Sequence, residues 1–167
     1  FEAPTLIAPL GRPGPRKVET YQLSAETTRA LGELARSQHT TVNTVLQAGW
    51  AQVLMMLTGR KDVAFGTAVS GRPAELAGAD SIVGLLINTV PVRATATAAG
   101  TVADLLCQVQ RDHNDTLEHE HLALTEIHHL VGQDQLFDTL FVYENYPIDI
   151  AALLGSHDLA VTEFTSR

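Results

Sequence analysis

The chain has 167 residues, enough for one domain that buries roughly 70% of the surface its unfolded form exposes. Eleven Lys and Arg against nineteen Asp and Glu give a formal net charge of −8, which repels a polyanion. The densest basic group, Arg12, Arg16 and Lys17, is broken up by Pro13 and Pro15, no apolar run is long enough to span a bilayer, and one cysteine cannot form an internal disulfide; nucleic-acid binding, membrane insertion and a disulfide scaffold are therefore not expected.

The opening, FEAPTLIAPLGRPGPRK, holds four of the seven prolines and no hydrophobic period, so residues 1–16 are expected to form an extended linker. Residues 18–23 (VETYQL) alternate and predict a strand. Ser24 stands at an N-cap position with Glu26 in the first turn, opening a helix whose Ala30, Leu31, Leu34 and Ala35 share a face. Thr41 caps a second helix, in which Val42, Val45, Leu46, Gly49, Trp50, Val53, Leu54 and Leu57 recur at three and four residues and Gly59 supplies the stop.

Residues 62–70 (DVAFGTAVS) are β-branched and aromatic, the composition of a buried strand, and residues 71–81 carry the Gly, Pro and Asp of a long loop. Residues 85–94 (LLINTVPVRA) predict another strand, with Pro91 placing it at an edge or a bulge because proline donates no backbone hydrogen bond; Gly84 before it reads as a point of close packing. Thr101 and Asp104 form a capping box for a long helix with Val102, Leu105, Leu106, Val109 and Leu117 inward and Cys107 among them as a small core residue. A shorter helix over 124–131 ends at Gly132, residues 139–146 read as a third core strand, and residues 159–165 alternate like a fourth. Helices and strands thus interleave, which predicts an α/β fold with crossover connections. The sequence begins without Met and stops just after a strand signal, so both ends read as cut from something longer.

Four stretches carry a family resemblance. IVGLLINTVPVR (82–93) resembles the fifth core motif of nonribosomal peptide synthetase condensation domains, and HEHLALTEI (119–127) resembles the sixth in part. LFDTLFVYENYP (136–147) is similar to the strand that follows, and VAFGTAVSGRP (63–73) to the strand entering the loop that floors the substrate tunnel. They occur in the family's order.

The resemblance implies a chloramphenicol-acetyltransferase-like two-layer sandwich, one lobe of a two-lobed V. Residues 17–167 would be the C-terminal lobe, truncated at its C-terminal end, and residues 1–16 the inter-lobe linker. The implied reaction joins a donor acyl or peptidyl thioester to the amine of an acceptor aminoacyl thioester. The implied partners are the N-terminal lobe, donor and acceptor carrier proteins and adjacent synthetase domains. No cofactor would bind directly; the phosphopantetheine arms belong to the carrier proteins. A cytoplasmic location follows from the same family and from the single cysteine. An exposed inter-lobe face would favour self-association of the isolated lobe.

The pair His128-His129 followed by Asp134 imitates the family's catalytic His-His, three residues, Asp-Gly. The spacing fails, since four residues separate His129 from Asp134 and Gln135 replaces the glycine. The family's own histidines lie upstream, in the other lobe, so this chain is expected to carry no catalytic residue and to be inactive alone. At the end of a helix the favourable interaction of histidine with the helix dipole explains the pair.

Substrate-binding candidates are Ser70, Gly71, Arg72 and Asn88. In the floor loop Ser70 would hydrogen-bond an acceptor-side group, and Arg72 would pair either with a carboxylate of the missing lobe or within its own fold. Asn88 faces the tunnel or satisfies neighbouring backbone groups; Arg93 reads as a structural ion pair. Gly-x-Ser-x-Gly is not met at Ser70, which has Ala68 two positions before it, so a serine hydrolase is not expected. His113, His119 and His121 raise a metal site, but two-residue spacing turns helical side chains about 200° apart, against the three or four that ligand pairs favour. Rival readings are a relative of the same fold with other chemistry (heterocyclisation, ester formation or epimerisation) or a lobe that only recruits partners. Ser70-Gly71-Arg72-Pro73 stands where an epimerisation lobe usually has Glu-Gly-His-Gly-Arg.

Overall fold

The structure, a computed structural model, describes residues 3–7, 14–15, 17–70, 78, 82–84 and 86–145. Helix α1 (Ala25–Ser37) opens where Ser24 caps it, the Thr27 amide donating to the serine hydroxyl at 3.1 Å. Helix α2 (Val42–Thr58) is capped by Thr41 in the same way and ends at Gly59, which takes the left-handed φ of 68° that a residue with a Cβ rarely adopts. Helix α3 (Val102–Thr116) has both halves of its capping box: the Asp104 amide donates to Thr101 Oγ1 at 3.2 Å, and the Thr101 amide to Asp104 Oδ2 at 2.8 Å. A short 3-10 turn (Leu117–His119) leads to helix α4 (Leu124–Val131), closed by Gly132 at φ 70°.

Strand β1 (Asp62–Val69) pairs antiparallel with β2 (Asn88–Thr95), in register from Asp62↔Thr95 to Val69↔Asn88. Strand β3 (Leu140–Phe141) runs parallel to β1 on its other side, giving the order β2-β1-β3. The result is an α/β fold with a mixed sheet. The Gly66 amide donates to the Thr139 carbonyl at 2.9 Å, toward β3, so Gly66↔Pro91 is a non-hydrogen-bonded pair in the β1–β2 ladder. The nitrogen of Pro91 therefore points to the outer side of β2, where no partner strand is present among the described residues. The edge position expected for this proline is the observed one.

The core lies between one face of the sheet and the helices. Val63 and Phe65 of β1, beside Ala94 of β2, pack with Ala51 and Leu54 of α2 and with Leu105, Leu106 and Val109 of α3. Phe65 and Leu54 are fully buried and Leu106 nearly so, each contributing about 1.5–3 kcal/mol by removal from water. Phe65 also meets Phe141 edge to face, ring centroids 6.3 Å apart.

Several expectations change. Residues 18–23 form no strand, and Val18 and Tyr21 are 89% and 87% exposed; alternation alone gives no ladder without a neighbouring edge. Strand β2 begins at Asn88, three residues after the expected start, and β3 is only two residues long. On α2 the buried side is Thr44, Val45, Gln47, Ala48, Ala51 and Leu54, whereas Leu57, expected on the apolar face, is 62% exposed, and Met56, which was not, is 75% exposed. Val102 and Cys107 of α3, and Leu117 just after it, lie at the surface. The close packing expected at Gly84 is not seen: among the described residues, its chain neighbours apart, nothing lies within 4 Å of where its Cβ would stand. The expected strand at 159–165 and the loop at 71–81, Gly78 apart, lie outside the described residues.

Residues 3–7 of the opening segment are anchored to the rest of the fold. The Thr5 amide donates to the Leu136 carbonyl at 2.9 Å, the Ala64 amide donates to Thr5 Oγ1 at 2.7 Å, and Arg60 donates to the carbonyls of Ala3 and Pro4. Thr5 is completely buried as a result.

Candidate functional site

Because the β1–β2 ladder closes on Val69↔Asn88, Ser70 and Asn88 come to the same end of the sheet. Ser70 is exposed, one residue past the strand, and Asn88 is half-buried. Gly71 and Arg72 lie outside the described residues. Strand alternation puts Asn88 on the same face as Val90, Val92 and Ala94, which is the face the helices cover. Its side chain behaves accordingly. Asn88 Nδ2 donates to the main-chain carbonyls of Glu120 and Leu122, both at 2.7 Å, and its Oδ1 accepts from the Thr89 amide at 2.8 Å. Of the two roles expected for Asn88, satisfying backbone groups is the one its hydrogen bonds fulfil.

The turn that Asn88 holds is the junction between α3 and α4, the stretch that carries the partial sixth-motif resemblance and two of the histidines considered as metal ligands. Glu120 in this turn is partly buried, and loss of water pushes its carboxyl above the usual carboxylate range, against a weaker opposing pull from His113. Among the described residues, no group of three or more His, Cys, Asp or Glu side chains is placed to hold a metal ion. The turn's signal in the sequence was the HEHLALTEI stretch itself; what periodicity gave no sign of was its connection to Asn88, thirty-two residues away from Glu120.

At the opposite end of β2, a cavity of about 430 Å³ opens between α2 and the start of α3, lined by Gln52, Met55, Thr95, Thr97, Val102 and Leu105. A second depression, of about 400 Å³, lies at the end of α4 and includes His128, His129 and Asp134. The two histidines stand in the last turn of α4, His128 half-buried and His129 exposed, where a positive charge is favoured by the helix dipole. Arg93 is bound by Asp62 through two parallel hydrogen bonds, Nε to Oδ1 at 2.9 Å and Nη2 to Oδ2 at 2.8 Å, the structural ion pair expected of it.

The motifs and this geometry meet in the comparison with known proteins: the Condensation domain family matches residues 10–166. The chain belongs to the condensation domain family. Similar relatives are the chondramide synthase cmdD of Chondromyces crocatus, 40% identical over 99% of this chain and 4% of that synthase, and the vanchrobactin synthetase VabF of Vibrio anguillarum, 44% identical over 75% of this chain and 4% of that synthetase. The chain thus spans a small part of the curated relatives it matches. Among solved structures it is similar to the first condensation domain of the calcium-dependent antibiotic synthetase with a substrate analogue, at a TM-score of 0.69 and 24% identity over 89% of this chain and 35% of that one. That likeness carries the fold. No helix among the described residues of this condensation-domain chain is long and apolar enough to cross a membrane.

Proposed function

We propose that this chain is the C-terminal lobe of a condensation domain that forms an amide bond between a donor acyl or peptidyl thioester and the amine of an acceptor aminoacyl thioester. The observation that carries the reading is the family match over residues 10–166, with the fifth-motif residues starting β2 beside the end of β1. In this reading the lobe contributes tunnel wall and floor loop, and the catalytic histidines come from the N-terminal lobe. The substrates arrive on phosphopantetheine arms of two carrier proteins, and adjacent synthetase domains complete the assembly.

The chemistry asks a wall of this kind to hold the acceptor amine against the thioester carbon and to keep water out. Ser70, exposed at the sheet end, offers a hydroxyl to an acceptor-side group, and Gly71 and Arg72, which follow it in the sequence, are the other floor-loop candidates. Glu120, whose main-chain carbonyl Asn88 holds, adds a partly desolvated carboxyl to the turn against that end of the sheet.

The test uses a full-length condensation domain bearing these residues, two loaded carrier proteins and mass spectrometry of the tethered product. The wild type is expected to form the dipeptide, and Ser70→Ala to slow it by about tenfold, the size of one lost hydrogen bond. No product with any of several aminoacyl pairs would point instead to a same-fold relative with other chemistry, or to a lobe that only recruits partners.

A further inference from the structure

We infer that Asn88 is a positioning residue for the α3–α4 turn, and that residues 120–122, rather than the asparagine itself, form the wall of the substrate path at the Val69–Asn88 end of the sheet. Both amide hydrogens of Asn88 are committed to the Glu120 and Leu122 carbonyls at 2.7 Å, and its oxygen takes the Thr89 amide. A primary amide has two donor hydrogens, so none is left to donate to a carbonyl of a substrate or of its pantetheine arm. The accepting carbonyls flank His121, an exposed residue in a stretch with no helical hydrogen-bond ladder of its own. Such a turn depends on outside donors for its shape. Asn88 supplies them from the first residue of β2, whose cross-strand partner Val69 immediately precedes Ser70. One side chain thus couples the end of the sheet to the α3–α4 junction and, with it, to the partly buried carboxyl of Glu120.

The inference rests on the amide-forming reading for its kinetic arm and stands independently of it for its structural arm. In the full-length domain, Asn88→Ala removes both donors, and Asn88→Asp sets a carboxylate against two carbonyls. His121→Gly loosens the turn from an exposed position without altering Asn88. Amide hydrogen exchange over residues 117–124 is measured for each, alongside rates at varied concentrations of acceptor-loaded carrier. Faster exchange is expected in all three variants, largest in Asn88→Asp, with the acceptor KM raised about tenfold in Asn88→Ala and in the same direction in His121→Gly, while kcat changes less. A raised KM in Asn88→Ala with unchanged exchange in 117–124 would overturn the inference, because Asn88 would then meet substrate directly. Faster exchange with unaltered kinetics would overturn the role of the turn in the path. A wild type that makes no dipeptide removes the amide-forming reading, whereas the exchange pattern by itself upholds or removes the clamp. His121→Gly keeps the comparison decisive if an Asn88 variant fails to fold.

Discussion

At the scale of single residues, the Asp62–Arg93 pair shows how a charge becomes useful where it is half sheltered. The guanidinium fork meets the carboxylate with two short bonds, and Asp62 is held below the usual carboxylate range chiefly by the hydrogen bond from Arg93, against the opposing effect of burial. A carboxyl whose folded pKa is depressed contributes stability that is complete above its unfolded value, about 3.9, and is lost as the pH falls through the folded value. Asp62→Asn is therefore expected to cost about 1 kcal/mol at pH 7, since Arg93 is partly exposed to solvent, and the gap to wild type should narrow as the pH drops below about 4. Urea unfolding of both proteins at neutral and acid pH checks it; a gap that does not change with pH would assign the loss to packing instead. Gly66 is the neighbouring lesson in space. A Cβ there would stand 2.6 Å from Phe137 Cε2 and 3.1 Å from Leu140 Cδ1, so Gly66→Ala should lose about 1–3 kcal/mol by overpacking, read as a lower thermal midpoint. The sequence made Arg93 legible, because a lone arginine in a strand has few other uses. It hid the reason for Gly66, because the ring that fills its space comes from a residue far along the chain.

At the scale of elements, helix ends were easier to read than helix faces. Ser24, Thr41, Thr101, Gly59 and Gly132 act at the caps where their chemistry places them, since a cap is settled by four or five consecutive residues. The buried side of α2 was not legible for the opposite reason. This helix is apolar over most of its circumference, so its period does not select a side; Ala48 and Ala51, small enough for close approach, were chosen over Met56 and Leu57 by packing with α1, α3 and β1. The capping box of α3 gives the prediction that belongs here. Thr101→Ala removes the acceptor for the Asp104 amide and leaves half the box, at a cost of about 1 kcal/mol; Thr101→Ser should retain most of it. Hydrogen exchange in the first turn of α3 separates a local fraying from a global loss. Strands fared worse than helices because a strand exists only with its partner: residues 18–23 have the alternation and no ladder, while β1 and β2 have both.

At the scale of the whole molecule, the chain's opening is stitched into its later part. Thr5 bridges Phe137 in parallel, takes the Ala64 amide on its hydroxyl and donates its own amide to Leu136, so one residue links the start of the chain, β1 and the approach to β3. The proline-rich composition carried no sign of this attachment, which combines one buried hydroxyl with main-chain hydrogen bonds and the side chains of Arg60 and Asp138. Thr5→Val, nearly the same shape without the hydroxyl, would leave the Ala64 amide unpaired in a fully buried place. It should lose about 1–3 kcal/mol, the desolvation cost of an unmade hydrogen bond. Thr5→Ser keeps the acceptor and drops one methyl, so it should lose less than the valine variant, although it removes more apolar volume. Thermal unfolding of the three proteins, with exchange at the Ala64 amide, tests the order. If serine costs as much as valine, the methyl's packing and not the hydroxyl anchors the opening segment; if valine is harmless, the Ala64 amide finds another acceptor and the segment is held by Arg60, Asp138 and main-chain hydrogen bonds.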